Sequence, residues 1–316
     1  MNALKKILVT GSNGLLGQKL VAALRNRTDV QLIATSRGEN RLSKTDGYLY
    51  DTLDITDRSA VQAALNRHQP DVVVNTAGMT QADLCEKEKE NCQRVNVTAV
   101  EYLIEACAAQ KSHLIQLSTD FIFDGTSGPY REEDKPNPLS YYGESKWAAE
   151  KRVMAAPLSW TILRTVLVYG ITENMSRSNI LLWAKNSLEK KQPTRAVSDQ
   201  FRTPTLAEDL AEGCTAIALK KAGGIYHLAG PEMMSIYEVA KRTAEFFGLD
   251  TSLLSPVSTA SLHEAARRPL KTGFVIDKAR RELGYRPHSF AGGLAVIKTQ
   301  LEAKPYFSKH GKGERY

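Results

Sequence analysis

Short apolar runs alternate with amphipathic segments along the first 170 residues of the chain. The apolar runs have the length of buried strands, and the segments between them carry apolar residues at helical spacing. The predicted strands are Lys6–Thr10, Gln31–Thr35, Asp71–Asn75, His113–Ser118 and Trp160–Val168. The predicted helices are Leu15–Arg25, Ser59–Arg67, Cys92–Gln110 and Tyr142–Met154. Regular alternation of strand and helix indicates an α/β fold with a doubly wound parallel sheet, the Rossmann arrangement.

After residue 170 strands and helices no longer alternate regularly. Helices are predicted at Asn179–Lys190, Thr205–Leu219 and Ser235–Phe247, with a late strand at Gly224–Leu228. We therefore predict a Rossmann domain over residues 1–170, to which residues 195–230 return. Residues 171–194 and 231–304 are predicted to form a smaller C-terminal substrate lobe, and residues 305–316 a basic tail.

Composition excludes several classes of protein. Hydrophobic residues make up 42% of the 316 residues and charged residues 24%, as in ordinary globular domains. No apolar run approaches the 18 or so residues of a membrane span, and the N-terminus lacks the pattern of a signal peptide, so a cytoplasmic protein without a membrane partner is expected. The four cysteines form no C-x-x-C pair and the six histidines are scattered, which predicts reduced thiols and no metal site.

The net charge of +7 is concentrated near the C-terminus. Residues 260–316 hold twelve Lys/Arg against five Asp/Glu, and the rest of the chain is balanced. A basic segment of this kind attracts polyanions such as nucleic acid or a nucleotide diphosphate. The alternative is a solvated surface with a basic tail. We favour the solvated surface for most of these charges, and we expect a nucleotide ligand and no nucleic-acid partner.

Three evenly spaced glycines follow the first predicted strand and open the first helix. They are Gly11, Gly14 and Gly17, and Asn13, Leu15 and Leu16 lie between them. Glycines let backbone N–H groups approach a pyrophosphate, and the helix N-terminus favours its negative charge. The loop predicts a dinucleotide site, although its spacing departs from G-x-G-x-x-G.

The end of the second strand indicates which dinucleotide is bound. NAD sites usually place an acidic residue there to hold the ribose 2′-OH. Here the strand ends at Ser36 and Arg37, which can bind a 2′-phosphate instead. Glu39 is nearby and leaves NAD open, but the residues favour NADP.

Tyr142 and Lys146 form a Y-x-x-x-K pair on a predicted helix, where positions i and i+4 share a face. An ammonium near a phenol is expected to lower the tyrosine pKa and to assist proton transfer. The preceding strand ends in Ser118, Thr119 and Asp120, and strand C-termini line the ligand crevice of such sheets. A tyrosine acid beside a nicotinamide predicts hydride chemistry on a carbonyl.

These motifs resemble those of the extended short-chain dehydrogenase/reductases, and the resemblance covers nearly the whole chain. Within that family the chain is most similar to the dTDP-4-dehydrorhamnose reductases. The segments that carry the resemblance are TGSNGLLGQ (10–18), VVVNTAGMT (72–80), STDFIFDG (118–125), PYREEDKPNPLSYYGESKWAAE (129–150) and DQFRTPTLAEDLA (199–211).

The resemblance implies a role for each matching residue. Thr119 would bind the carbonyl oxygen, Tyr142 would protonate it, and Lys146 would hold the nicotinamide ribose. The remaining cofactor residues would be Asp54 and Ile55 near the adenine, and Thr76, Ala77 and Gly78 on the nicotinamide side. The expected substrate residues are Thr80, Asp120, Phe121, Arg202 and Arg268.

Two of these substrate residues have alternatives. The Phe201-Arg202 pair stands where the family commonly has a small residue, so Arg202 is either a cation of the substrate pocket or a surface residue. Arg268 is the expected ligand of the substrate diphosphate, because Pro269 restricts its backbone to extended shapes. Its alternative role is to pair with an acidic residue and hold the lobe in place.

The predicted activity is NADPH-dependent reduction of the 4-keto group of a nucleotide-activated deoxysugar, as in the conversion of dTDP-4-dehydrorhamnose to dTDP-rhamnose. The run Thr76–Thr80 also departs from the reductase pattern, which leaves the sugar open. Two alternatives share the same motifs: an NADP-binding regulatory subunit similar to the β subunit of methionine adenosyltransferase, and a nucleotide-sugar epimerase or dehydratase. A homodimer is a candidate assembly.

Overall fold

The computed structural model describes residues 4–175 and 178–303 and contains one large parallel sheet. The first six strands are β1 Lys5–Thr10, β2 Val30–Ser36, β3 Leu49–Thr52, β4 Val72–Asn75, β5 His113–Thr119 and β6 Trp160–Thr165. The later strands are β7 Val168–Tyr169, β8 Thr194–Val197, β9 Phe201–Arg202, β10 Thr205–Leu206, β11 Gly224–His227, β12 Met234–Ser235 and β13 Leu254–Val257. The large sheet has the order β3-β2-β1-β4-β5-β6-β11, which confirms the predicted doubly wound fold.

Helices cover both faces of this sheet. Their bounds are α1 Leu15–Leu24, α2 Arg58–His68, α3 Ala82–Lys87, α4 Lys89–Gln93, α5 Ala99–Gln110, α6 Tyr141–Ala155, α7 Ile180–Glu189, α8 Ala207–Lys220, α9 Ile236–Phe246, α10 Asp277–Leu283 and α11 Phe290–Ala303. A π-helical turn over Arg94–Thr98 joins α4 to α5. The single helix predicted over Cys92–Gln110 is therefore three segments, and the turn lies beside the candidate site.

Alternating side chains of the central strands fill two cores, one on each face. Ile7 and Val9 of β1 belong to the core that includes α1 and α8, whereas Leu8 belongs to the core that includes α2 and α5. Burial on both faces explains why these strands are apolar along their whole length.

The predicted strand Trp160–Val168 is wrong at its C-terminal end. Strand β6 stops at Thr165, and Leu167 adopts a left-handed backbone with φ of 41°. Val168 and Tyr169 then pair with Thr205 and Leu206 in a separate two-stranded sheet. Strand β3 and helices α3, α10 and α11 were absent from the prediction. Residues of β3 are half-buried or exposed at the sheet edge, so they lack the apolar pattern of the central strands.

The C-terminal elements build their own apolar cluster. Helices α7, α9 and α11 contribute Leu181, Val239 and Leu294 to it. The division into a Rossmann domain and a substrate lobe stays a prediction, and the predicted tail 305–316 lies outside the described residues. Within residues 4–175 and 178–303, no helix has the length and hydrophobicity of a membrane span, and no cluster of His, Cys, Asp or Glu could hold a metal. The four cysteines are buried and unpaired.

Candidate active site

The glycine loop joins β1 to α1 and allows the backbone to pack closely. Gly11 has a φ of +66°, and a β-carbon there would lie 2.8 Å from the Ala77 backbone nitrogen. A β-carbon on Gly17 would lie 2.3 Å from the carbonyl oxygen of Gly11. No side chain caps the N-terminus of α1, so its first N–H groups are available to an anion. This cradle fits a dinucleotide pyrophosphate.

Asn13 and Thr76, two further residues expected at the cofactor, stabilise the glycine loop through hydrogen bonds. Asn13 donates from its side chain to the Glu39 carbonyl at 2.8 Å and accepts from the Arg41 N–H at 2.9 Å. The Thr76 hydroxyl donates to the Thr10 carbonyl at 2.6 Å and joins the ends of β1 and β4. The Asn13 and Thr76 side chains therefore connect the glycine loop to its two neighbouring segments.

Ser36 and Arg37 lie at the C-terminal end of β2. Ser36 is half-buried and Arg37 is exposed. Within the described part of the chain, the Arg37 guanidinium makes no ion pair or hydrogen bond. An unpaired guanidinium at this position fits the 2′-phosphate of NADP. Asp54, which follows β3, accepts from the backbone and hydroxyl of Thr56, and Ile55 is buried in the core.

The three predicted catalytic residues converge at the C-terminal end of β5. Ser140 caps helix α6 by accepting from the Gly143 N–H, which places Tyr142 in the first turn. Tyr142 is buried, with 7% of the residue exposed, and its ring packs edge-on against the Phe121 ring at 5.5 Å between centroids. The Lys146 ammonium donates to the Leu117 carbonyl of β5 at 2.6 Å. One helix and one strand end thus hold an acid, a hydroxyl and a cation together.

Burial dominates the electrostatics of Tyr142 and Lys146. Burial raises the pKa of Tyr142 well above its ordinary value, and the nearby Thr119 hydroxyl only partly opposes this rise. We expected Lys146 to lower the pKa of Tyr142, and this is wrong because the pKa is raised overall. Desolvation of the phenolate costs more than nearby groups recover by stabilising its charge. Burial also lowers the pKa of Lys146 to about 8. At neutral pH the phenol therefore carries its proton.

Asp120, which accepts from the Thr119 hydroxyl at 3.1 Å, forms a buried ion pair with Arg202. The Arg202 Nε lies 3.3 Å from the Asp120 Oδ2, and both side chains are 4% exposed. The guanidinium also packs over the Phe121 ring at 5.8 Å. The alternative that Arg202 is a surface residue is therefore wrong, because its charge is enclosed by protein.

Arg268 pairs with two carboxylates. Its guanidinium lies 2.7 Å from Asp83 and 2.9 Å from Glu264, and Asp83 also accepts from the Ala266 N–H at 2.8 Å. These contacts match the alternative role in which Arg268 holds the C-terminal segment in place. Its role as a diphosphate ligand stays a prediction, as does the substrate role of the exposed Thr80.

Sequence reasoning missed Asn96, which lies in the π-helical turn. Its side chain accepts from the Met79 N–H at 2.8 Å and donates to the Met79 carbonyl at 2.9 Å. It also donates to the Ser145 hydroxyl, which in turn donates to the Tyr142 carbonyl. Asn96 thus ties the loop after β4 to the helix that carries Tyr142. The position of Asn96 between Val95 and Val97 was the one signal in the sequence.

The fold and the site together define a class of protein. A Rossmann sheet with a glycine cradle at β1, and a Thr–Tyr–Lys set at the end of β5, is the architecture of the extended short-chain dehydrogenase/reductases. The chain belongs to the family described as RmlD substrate binding domain, whose pattern matches residues 5–302.

Three curated relatives cover most of the chain. The spore coat polysaccharide biosynthesis protein SpsK of Bacillus subtilis is 32% identical over 92% of this chain and 95% of its own. The methionine adenosyltransferase 2 subunit beta of Xenopus laevis is 32% identical over 80% of this chain and 75% of its own. A dTDP-4-keto-6-deoxy-D-glucose reductase of Streptomyces niveus is 32% identical over 89% of this chain and 91% of its own.

Solved structures show the same architecture. The dTDP-4-dehydrorhamnose reductase of Bacillus anthracis, crystallised in complex with NADP, has a TM-score of 0.83 at 26% identity over 94% of this chain and 99% of its own. The corresponding reductase of Clostridium acetobutylicum has a TM-score of 0.82 at 27% identity, over 94% of this chain and 99% of its own. The relatives therefore include reductases and a subunit of a different enzyme.

Proposed function

We propose that this protein is an NADPH-dependent reductase acting on the 4-keto group of a nucleotide-activated deoxysugar, most like the conversion of dTDP-4-dehydrorhamnose to dTDP-rhamnose. The observation that carries the proposal is the placement of Tyr142 and Lys146, one turn apart on α6, against the end of β5, where the Lys146 ammonium donates to the Leu117 carbonyl beside Thr119. Membership of the family, and relatives named as reductases of dTDP-linked sugars, support it.

The glycine cradle would hold the pyrophosphate of NADP, and Arg37 would pair with its 2′-phosphate. By resemblance, Asp54 and Ile55 would border the adenine, and Thr76, Ala77 and Gly78 the nicotinamide. When bound, the reduced nicotinamide supplies the hydride that the carbonyl carbon accepts.

The residues of the chain supply the proton and the positioning. Tyr142 donates its phenolic proton to the carbonyl oxygen, so that the ketone becomes an alcohol. The raised pKa of Tyr142 keeps this proton in place at neutral pH. Thr119 is assigned to the carbonyl oxygen and Lys146 to the ribose, and Thr80, Asp120 and Phe121 are proposed to border the sugar.

Turnover of purified protein tests the proposal directly. NADPH oxidation is followed with dTDP-4-dehydrorhamnose and, for comparison, with the same keto sugar on a uridine diphosphate. Substrate-dependent oxidation that yields the reduced sugar supports the proposal. If the protein binds NADPH but does not oxidise it in the presence of either sugar nucleotide, the proposal is contradicted. Sedimentation of the same sample tests the candidate homodimer.

A regulatory role is the second candidate. The similarity to methionine adenosyltransferase 2 subunit beta, over 80% of the chain, favours it specifically. Under this alternative the protein binds NADP without turnover and changes the kinetics of a methionine adenosyltransferase when the two are mixed. Unchanged transferase kinetics, together with keto-sugar turnover, would reject it.

A further inference from the structure

The loop between β2 and β3, residues 37–48, is held by a distant segment of the chain, and we call it the β2 loop. Its Ser43 N–H donates to the Glu173 carboxylate at 2.6 Å. The neighbouring Asn174 side chain donates to the Arg41 carbonyl of the same loop at 3.2 Å. Glu173 lies 130 positions from Ser43 in the chain, so this contact depends on the tertiary structure alone.

The segment that contains Glu173 is itself fixed to helix α1. The buried Gln18 side chain donates to the Glu173 carbonyl at 2.9 Å and accepts from the Glu173 N–H at 2.9 Å. Gln18 also donates to the Asn13 carbonyl of the glycine loop at 3.1 Å. Just before this segment, a β-carbon on Gly170 would lie 3.2 Å from the Leu15 Cδ1. The chain therefore passes along the first turn of α1, where the dinucleotide pyrophosphate is expected.

Two sets of hydrogen bonds thus fix the β2 loop beside the cofactor cradle. Asn13 of the glycine loop binds the Glu39 carbonyl and the Arg41 N–H, and Glu173 binds the loop further along. Arg37, at the start of the same loop, is the residue assigned to the 2′-phosphate of NADP. A loop that is ordered before the ligand arrives binds it more tightly, because less conformational entropy is lost on binding.

We infer that Glu173 is a positioning residue that sets the affinity for NADPH and the preference for NADPH over NADH, by holding the β2 loop against the glycine cradle. The inference rests on the proposed function through the assignment of Arg37 to the 2′-phosphate. Without the Glu173 contact the loop spends less time in its binding conformation, and the apparent affinity for NADPH falls by the same fraction. NADH lacks the 2′-phosphate and depends less on the loop.

The charge of Glu173 and its hydrogen bond have opposite expected effects on NADPH. A carboxylate beside the first turn of α1 repels the phosphates of a dinucleotide, so loss of the charge alone would tighten binding. Loss of the hydrogen bond to the β2 loop would weaken binding. Glu173→Gln removes the charge and keeps an oxygen that accepts from the Ser43 N–H, whereas Glu173→Ala removes both.

Binding titrations with NADPH and NADH test the inference on Glu173→Ala, Glu173→Gln and the wild type. Glu189→Ala is the matched control, because Glu189 is an exposed carboxylate of α7 that pairs with Lys185. We expect Glu173→Ala to weaken NADPH binding about 10-fold, the lower end of the cost of a lost charge-assisted hydrogen bond, and NADH binding much less. Glu173→Gln should bind NADPH within about threefold of the wild type, since its amide oxygen still accepts.

Three results would overturn the inference: NADPH binding by Glu173→Ala that is unchanged, NADPH binding that is tighter, or equal losses for the two cofactors. If Glu173→Ala does not fold, the titrations are run on Asn174→Gly. This change removes the donor to the Arg41 carbonyl, and glycine tolerates the left-handed backbone of Asn174, whose φ is 49°. It should lower the preference for NADPH in the same direction, and an unchanged preference would count against the inference.

Amide hydrogen exchange of the cofactor-free protein separates this inference from the proposed function. The Ser43 amide and its neighbours in the β2 loop should exchange faster in Glu173→Ala than in the wild type, and at about the wild-type rate in Glu173→Gln. Unaltered exchange in Glu173→Ala overturns the positioning role, whatever the turnover. A wild type that does not reduce the keto sugar, in a protein whose variants show the expected exchange and NADPH affinities, contradicts the proposed function alone.

Discussion

Gly143 lies against the backbone of Phe121, and a β-carbon on Gly143 would stand 2.2 Å from the Phe121 carbonyl oxygen. This close approach lets the first turn of α6 rest on the segment that follows β5. The same approach brings the Tyr142 ring against the Phe121 ring, with 5.5 Å between the centroids.

Gly143→Ala should therefore displace Tyr142 from the segment that follows β5. The clash is with backbone, so helix α6 must shift, and a displacement of about 1 Å can cost about 10²-fold in rate. Turnover is measured alongside NADPH affinity, which should change less. Gly223→Ala is the control, because its β-carbon would meet only the Trp160 carbonyl at 3.6 Å. Full activity in Gly143→Ala would show that the close approach is not needed.

Tyr142→Phe removes the acid and keeps the ring. We expect turnover to fall by about 10²–10⁴-fold, the usual contribution of a general acid, with NADPH affinity nearly unchanged. Tyr141→Phe is the matched control, since the neighbouring phenol has no contact with Thr119. A Tyr142→Phe variant as active as the wild type would reject Tyr142 as the proton donor.

Arg37→Ala should weaken NADPH binding far more than NADH binding, because only NADPH carries the 2′-phosphate. Loss of a charge-assisted hydrogen bond costs about 1.5–3 kcal/mol, or about 10–150-fold in affinity. Arg58→Ala controls for loss of a surface charge, since the exposed Arg58 of α2 pairs with the exposed Glu105 of α5. Equal losses for both cofactors in a binding titration would contradict the assignment.

The lowered pKa of Lys146 predicts a pH-dependent stability. Between pH 8 and pH 10.5 the folded chain has lost the Lys146 proton while the unfolded chain keeps it, so the free energy of unfolding rises with pH. Relative to Lys146→Met, the wild type should gain about 3 kcal/mol across this window, at 1.36 kcal/mol per pKa unit. Urea unfolding of both proteins at pH 7 and pH 10 measures the gain. If the wild type and Lys146→Met differ in free energy of unfolding by the same amount at both pH values, the pKa of Lys146 is not lowered.

Arg268→Lys separates the two roles of Arg268. The planar guanidinium contacts Asp83 and Glu264 together, and a lysine ammonium cannot reproduce this fork. We expect the melting temperature to fall by a few degrees while the KM for the sugar nucleotide stays constant. A raised KM at an unchanged melting temperature would instead support the predicted contact with the substrate diphosphate.

Several features of the fold were predictable because they depend on local patterns. The β1 and β4 strands are buried on both faces, so their apolar runs are visible without any tertiary contact. The glycine loop and the Tyr142–Lys146 pair lie within single stretches of chain, where spacing alone sets the geometry. The doubly wound arrangement also followed, since alternation of strands and helices leaves few topologies for a parallel sheet.

The contacts that decide the site depend on residues far apart in the chain. Arg268 and Asp83 are 185 positions apart, and Thr272 and Asp120 are 152 apart. A sequence shows that an arginine is present, but only the packed structure shows whether its charge faces solvent or a buried carboxylate. The sequence by itself thus determined the class of fold and the candidate residues of the reaction. The tertiary structure decided that Arg202 is a buried counterion and that desolvation, rather than Lys146, sets the pKa of Tyr142.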